Sequence, residues 1–264
     1  MIPKKIHYIW FGKNPLPELV LKCIESWKKH CPDYEIKKWD EDNFDFSKNI
    51  YAKEAYDAKK WAFVSDYARV KILHDEGGIY LDTDMEILKN LDIFLENDFF
   101  AGFESKKFIN AAILGSVKSH PLLKEMLNSY KNDKFILDNG LYNERTIVER
   151  LSKILKNNSF RLNNTLQKID SVCIYSNDFF YPKNNFNGKI NLNSNSHTIH
   201  HYDGSWLDTF QHINKQNRYI LTSKYGKFIG ISIYRLQIIA KCLSKNGFKK
   251  TLNLVKNRLK NPLW

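Results

Sequence analysis

The chain opens on a two-residue rhythm and then changes period. From Lys5 to Trp10, Ile6, Tyr8 and Trp10 alternate against His7 and Ile9, the pattern of a strand. Prolines 15 and 17 then open a helix in which Leu19, Val20, Cys23, Ile24 and Trp27 share one apolar face, and Pro32 closes it. Tyr34, Ile36 and Trp39 mark a second strand. Trp61 to Glu76 reads as a second helix, stopped by Gly77 and Gly78 where a C-terminal cap belongs, and Ile79 to Asp82 follows at once as a strand. Further strands are expected at Phe99–Phe103, Ile109–Leu114, Val172–Tyr175 and Thr198–His201. Helices are expected at Pro121–Tyr130 and Glu144–Leu155, and the Asn-rich stretches Lys156–Asn164 and Lys183–Ser196 read as surface loops. Strand and helix in alternation predict an α/β protein with a mainly parallel central sheet.

Charge divides the chain unevenly. Residues 209–264 hold twelve Lys or Arg and no Asp or Glu, which accounts for the whole net charge of +12. The remaining body is neutral, so it is not built to wrap nucleic acid, and no nucleic-acid partner is expected. We expect one catalytic domain over 1–214 and a basic helical extension over 215–264. The four cysteines show no metal-ligand spacing and read as reduced thiols. No leader segment is visible. The best candidate for a membrane span, Phe228–Leu243, is short and broken by Arg235 and Lys241. The expectation is a cytoplasmic protein. Ile231, Tyr234, Ile238, Ile239, Cys242 and Leu243 form an apolar stripe in the basic extension, which suits peripheral docking on the inner face of the cell membrane.

Two Asp-x-Asp triplets occur, and their surroundings separate them. Asp40 and Asp42 lie in the polar run Asp40-Glu41-Asp42-Asn43, which reads as a solvated turn. Asp82 and Asp84 instead end an apolar strand. Strand geometry would turn Tyr80, Asp82 and Asp84 to one side, opposite Ile79 and Leu81. Two carboxylates converging at the C-terminal end of a buried strand repel each other unless a cation joins them. A hard divalent ion, Mn²⁺ or Mg²⁺, takes such carboxylates together with phosphate oxygens of a substrate. On the preceding helix Ala62, Ser65, Asp66 and Arg69 fall on one side, so its polar face can look into the same cleft.

Ser65-Asp66-x-x-Arg69, followed by Leu73-x-x-x-Gly77-Gly78-Ile79-Tyr80-Leu81-Asp82-x-Asp84, resembles the core of family 32 glycosyltransferases. The opening Ile2–Trp10 block and His200-His201-Tyr202-x-x-Ser205-Trp206 resemble the family's first strand and its late block, in the same order. The resemblance implies a GT-A fold, a nucleotide-diphosphate sugar donor (a UDP-sugar favoured), a hexosyl unit transferred with retention, and a glycan or lipid-linked glycan acceptor. The setting implied is synthesis of bacterial capsule or surface polysaccharide. By the same resemblance Trp10 flanks the nucleobase, and Asp66 and Arg69 hold the sugar hydroxyls with Ser65 and Tyr80 close by. Asp82 contacts ribose, sugar and the metal, and Asp84 ligates the metal with His201 or His200. Ser205 and Trp206 line the diphosphate, and Asn110 takes a sugar-pocket position. Where relatives have a Gly-Pro-rich turn on the acceptor side, this chain has Asp138-Asn139-Gly140-Leu141-Tyr142. Two other functions use the same residue types: a metal-dependent phosphohydrolase or nuclease, and a non-catalytic sugar-binding module.

Overall fold

The computed structural model describes residues 1–204, 209–241 and 243. They form two compact units, residues 1–183 with 190–204, and a second of residues 184–189 with 209–241 and 243.

In the first unit a seven-stranded sheet is built from β1 (Lys5–Ile9), β2 (Glu35–Trp39), β3 (Gly78–Leu81), β5 (Phe99–Phe103), β6 (Ile109–Ser116), β7 (Gln167–Ile169) and β8 (Val172–Tyr175). A separate two-stranded ladder pairs β4 (Met85–Ile87) with β9 (Thr198–His200). The order across the large sheet is β2-β1-β3-β6-β5-β8-β7. The β1–β2, β1–β3 and β5–β8 pairs are parallel, while β6 and β7 run against their neighbours. Five strands therefore point one way, and the α/β fold with a mainly parallel sheet is as the sequence predicts.

Helices α1 (Glu18–His30), α2 (Ile50–Asp57), α3 (Trp61–Glu76), α4 (Pro121–Asn128), α5 (Ile147–Asn157) and α6 (Asn177–Phe180) cover both faces. Alternation along the strands feeds two cores. Tyr80, Phe99 and Leu114 pack with Val64 and Leu73 of α3 and Leu151 of α5, whereas Ile79, Leu81 and Phe100 pack with Cys23 and Trp27 of α1. Some elements carry too little pattern to be read from the sequence, α2 and β4 among them. Helix α2 buries Tyr51, Ala52 and Ala55 and is started by Asn49, whose side chain accepts from the Ala52 N–H. Strand β4 is only three residues long.

The Gly77-Gly78 turn sets α3 against β3. Gly77 has φ +69° and its N–H donates to the Leu73 carbonyl, ending the helix. Gly78 has φ +105°, and a Cβ there would sit 2.9 Å from both His7 Nε2 and the Lys5 carbonyl. Only glycine combines that backbone angle with that proximity.

In the second unit α7 (Thr209–Tyr225) passes through the 214/215 boundary read from the sequence. Gly226 turns the chain at φ +76° into a second helical run over 227–241. Gly230 crosses against Leu221 and Thr222 of α7 so closely that a Cβ would meet their backbone at 2.5 Å. The segment Asn184–Lys189 is tied to α7 by Thr222 Oγ1, which donates to the Phe186 carbonyl at 2.8 Å.

Candidate active site

Parallel strands place their C-terminal ends together, and in open α/β sheets ligands gather there. Trp10 follows β1 and Asp82 follows β3, its neighbour. Strand β6 is antiparallel to β3, so its first residues lie at that same end: the Asp82 N–H donates to the Ala112 carbonyl, and Asn110 stands two residues earlier. Asn110 is buried, donating to Glu104 Oε2 at 3.1 Å and accepting from the Ala112 N–H at 2.8 Å.

The two aspartates do not converge by strand alternation. Strand β3 ends at Leu81, and residues 82–85 make a turn in which the Met85 N–H donates to the Asp82 carbonyl. The reversal brings Asp84 beside β4, and β4 pairs with β9 with Met85 opposite His200. Thus a histidine more than a hundred residues away reaches the carboxylates: ligand atoms of Asp82, Asp84 and His200 all lie within 4.8 Å of one another. Among the described residues no other such cluster occurs. His201 points elsewhere, its Nε2 2.8 Å from Glu86 Oε2, because successive residues at a strand end face opposite sides. Of the two histidines that the family pattern offers, the structure brings His200 to the aspartates.

Asp84 is a buried carboxylate. Its Oδ2 accepts from the Asp203 N–H at 2.7 Å and its Oδ1 lies 3.2 Å from His200 Nε2. Burial alone would raise its pKa, but the His200 charge and these hydrogen bonds prevail and hold it at about 2. For His200, burial pulls the pKa down and Asp84 more than reverses it. His200 Nδ1 is buried with no hydrogen-bond partner among the described residues, and Nε2 is the nitrogen that faces Asp84. Two carboxylates and one imidazole form a donor set that could hold a divalent metal ion.

Arg69 stands behind Asp82. Its Nη1 is 2.9 Å from Asp82 Oδ1 and 2.9 Å from the Ala111 carbonyl, its Nη2 is 3.2 Å from Asp66 Oδ1, and its guanidinium lies over the Tyr80 ring. The Tyr80 hydroxyl donates to the same Asp82 oxygen at 2.8 Å. Both contacts fall on Oδ1, so among the described residues Oδ2 stays open. Tyr80 is 2% exposed, so it reaches the site through Asp82 rather than by its own surface. Asp66 accepts from the Ile147 N–H at 3.0 Å, yet burial raises its pKa to about 6 against the pull of Arg69. Ser65 meets this group through its carbonyl, which accepts from Arg69 Nε.

Trp10 is partly exposed, with its indole N–H donating to the Asn14 carbonyl. Beside it Gly12, Asn14, Glu41, Tyr56 and Trp61 line a cavity of about 400 Å³. Asp40 and Asp42 form the solvated turn expected of them, Asp40 Oδ1 accepting from the Asp42 N–H. Ser205 and Trp206 lie outside the described residues. The structure adds residues that the sequence did not single out. The Tyr202 ring lies 4.0 Å from that of His200. Lys183 Nζ donates to the His201 carbonyl at 2.8 Å, and its half-buried charge is felt by Asp84 and Asp203. Tyr202 lay inside the quoted late block; Lys183 carried no signal in an Asn-rich loop.

Residues 17–101 match the family described as "glycosyltransferase sugar-binding region containing DXD motif". An uncharacterised glycosyltransferase of Acanthamoeba polyphaga mimivirus is 31% identical over 70% of this chain and 77% of its own length. The inositol phosphoceramide mannosyltransferase 3 of Schizosaccharomyces pombe is 32% identical over 48% of this chain; the chain spans 37% of that relative. Among solved structures, the PaToxG glycosyltransferase aligns with a TM-score of 0.43 and 19% identity over 61% of this chain and 75% of its own. The galactosyltransferase LgtC, solved with donor and acceptor sugar analogues, aligns with a TM-score of 0.41 and 14% identity over 83% and 95%. The matched region contains the Asp82–Asp84 turn and the helix that carries Arg69, and on that sequence likeness the chain belongs to the DXD-motif glycosyltransferases of family 32.

Proposed function

We propose that this enzyme moves a hexosyl unit from a nucleotide-diphosphate sugar to a glycan or lipid-linked glycan, with retention of anomeric configuration, on a GT-A type fold. The observation that carries the reading is the Asp82, Asp84 and His200 cluster at the C-terminal end of the sheet. These three side chains would hold Mn²⁺ or Mg²⁺, and a cation bound there supplies Lewis-acid stabilisation to the departing diphosphate. Arg69 and Asp66 orient the donor sugar through its hydroxyls, Asn110 closes the sugar pocket, and Trp10 flanks the base beside the adjoining cavity. Ser205 and Trp206 take the diphosphate.

No side chain is assigned as a covalent nucleophile. Asp66 is tied to Arg69 and to the Ile147 N–H, which suits a sugar-orienting role better than attack. A UDP-sugar is the favoured donor. Two relatives carry names stating mannosyl transfer to inositol phosphoceramide, so a mannosyl donor and a lipid acceptor belong in the same trial. The small hairpin that pairs Ile136 with Tyr142 exposes Ile136, Leu137, Leu141 and Tyr142, an apolar tip suited to a lipid-linked acceptor. Capsule or surface-polysaccharide synthesis is the role we assign. A phosphohydrolase working through two metals would require a second ligand set, and the described residues hold one cluster.

A thermal-shift panel of UDP- and GDP-sugars with Mn²⁺, followed by mass spectrometry of hydrolysed donor, tests the proposal. Stabilisation by one nucleotide sugar, dependent on Mn²⁺, is expected. Hydrolysis of a phosphodiester with no response to any nucleotide sugar would overturn it.

A further inference from the structure

Only part of the apolar stripe read in the basic extension is exposed in the second unit. Ile238 is 4% exposed and Ile231 and Tyr234 are half-buried, so these three turn inward, whereas Leu243 of the same stripe is exposed. The opposite face of the 227–241 run is apolar as well. Phe228 is 86% exposed, Ile229 61% and Leu236 67%, and Leu243 continues the row. On the helical period these residues stand with Ser232, Ala240 and the half-buried Ile239, and the half-buried Arg235, two turns after Phe228, borders the row. A helix apolar on both sides is not finished by its own fold. Packing within the unit accounts for the inner row; the outer row requires another apolar surface.

Its surroundings say which surface. Residues 209–264 contain twelve Lys or Arg and no acidic residue, so that stretch of sequence carries charge of one sign only. On α7, Lys224 is exposed, and so are Ile213 and Ile220. No helix among the described residues is long and apolar enough to cross a membrane. Exposed apolar side chains on a helix too short to span, within a stretch of one positive sign, match a surface that is negative outside and greasy within.

We propose that the outward face of the 227–243 segment, centred on Phe228, Ile229 and Leu236, docks on an anionic lipid bilayer, the helix lying in the headgroup layer. Such docking would confine the enzyme to the plane in which a lipid-linked acceptor diffuses.

Sedimentation of the 264-residue chain with sucrose-loaded vesicles tests this directly. Binding to phosphatidylcholine vesicles containing about one quarter phosphatidylglycerol should be at least ~10-fold stronger than to phosphatidylcholine alone, and should weaken as salt rises to about 0.5 M. Leu236→Glu and Phe228→Glu, both on exposed positions, should each reduce binding about 10-fold with the melting temperature unchanged. Lys224→Glu, which leaves the apolar row intact, should also reduce it, and guards against a folding defect in the other two. Three results would overturn the proposal: no sedimentation with either vesicle, equal binding to both, or a dimer in light scattering that Leu236→Glu abolishes. Vesicle binding is read without donor or metal, so its failure leaves the sugar-transfer reading untouched, and the reverse also holds.

Discussion

The Arg69 guanidinium meets the Asp82 carboxylate at 2.9 Å, joining the helix before the Gly-Gly turn to the strand after it. Asp66, one turn back on the same helix, holds the other edge of the guanidinium at 3.2 Å. One buried cation therefore serves two carboxylates, and it fixes the face that Asp82 turns to the site.

Removing that cation should cost both stability and function. Arg69→Ala leaves the buried Asp66 and the partly exposed Asp82 without their cation, and loss of one member of a buried pair costs about 3–5 kcal/mol. Urea denaturation should register this as a lower midpoint. Arg69→Lys keeps the charge but not the fork, so it should recover most of the stability while donor hydrolysis stays low. Wild-type hydrolysis in Arg69→Lys would mean that the fork does not position the sugar.

Asp84→Ala should abolish nearly all sugar transfer and the Mn²⁺-dependent shift in melting temperature. The two histidines separate cleanly. His200→Ala should raise the Mn²⁺ concentration for half-maximal activity by at least ~10-fold, the size of effect seen even for groups that only support a metal ligand. His201→Ala should change it little, since His201 contacts Glu86 instead. Equal effects in the two variants would place the ion elsewhere.

His7 makes stability depend on pH. The Trp39 indole can only donate, so His7 Nδ1 accepts its hydrogen bond at 3.1 Å and Nε2–H donates to the Gly77 carbonyl at 2.8 Å. The ring is thus held neutral, and burial lowers its pKa from the ordinary 6.5. The unfolded chain takes up this proton more readily than the folded one. His7 therefore favours the fold fully above pH 6.5, and its contribution is lost as pH falls from there toward the lowered value. The melting temperature should drop between about pH 7.5 and 5.5, and His7→Gln should drop less over that interval. Parallel curves for the two proteins would exclude His7 as the source.

Gly78→Ala should destabilise by about 1–3 kcal/mol, since it places a side chain at φ +105° and against His7 and Lys5. The same substitution at Gly140, which also has positive φ but open space around it, should cost less. Denaturant midpoints for the two variants give the comparison.

Much of this was legible in the residues themselves. Alternation set β1, helical spacing set α1, and the paired glycines placed the break between α3 and β3, because each is a local rule satisfied by a few neighbours. Asp66, Arg69, Asp82 and Asp84 could be picked out for the same reason, each lying within twenty residues of the turn. What the local pattern could not supply was how the aspartates converge. Continued strand geometry aimed Asp82 and Asp84 to one side, whereas a turn at 82–85 brings them together.

The amino-acid order alone determined the α/β layering, the aspartate pair and the one-sided charge of the extension, for these follow from period, turn chemistry and counting. Only the tertiary structure decided that His200 rather than His201 joins the aspartates, because the pairing of Met85 with His200 is a register between strands more than a hundred residues apart. It also decided which apolar row of the 227–241 helix is covered. A helix that is greasy on two sides does not say by itself which side its neighbours will take.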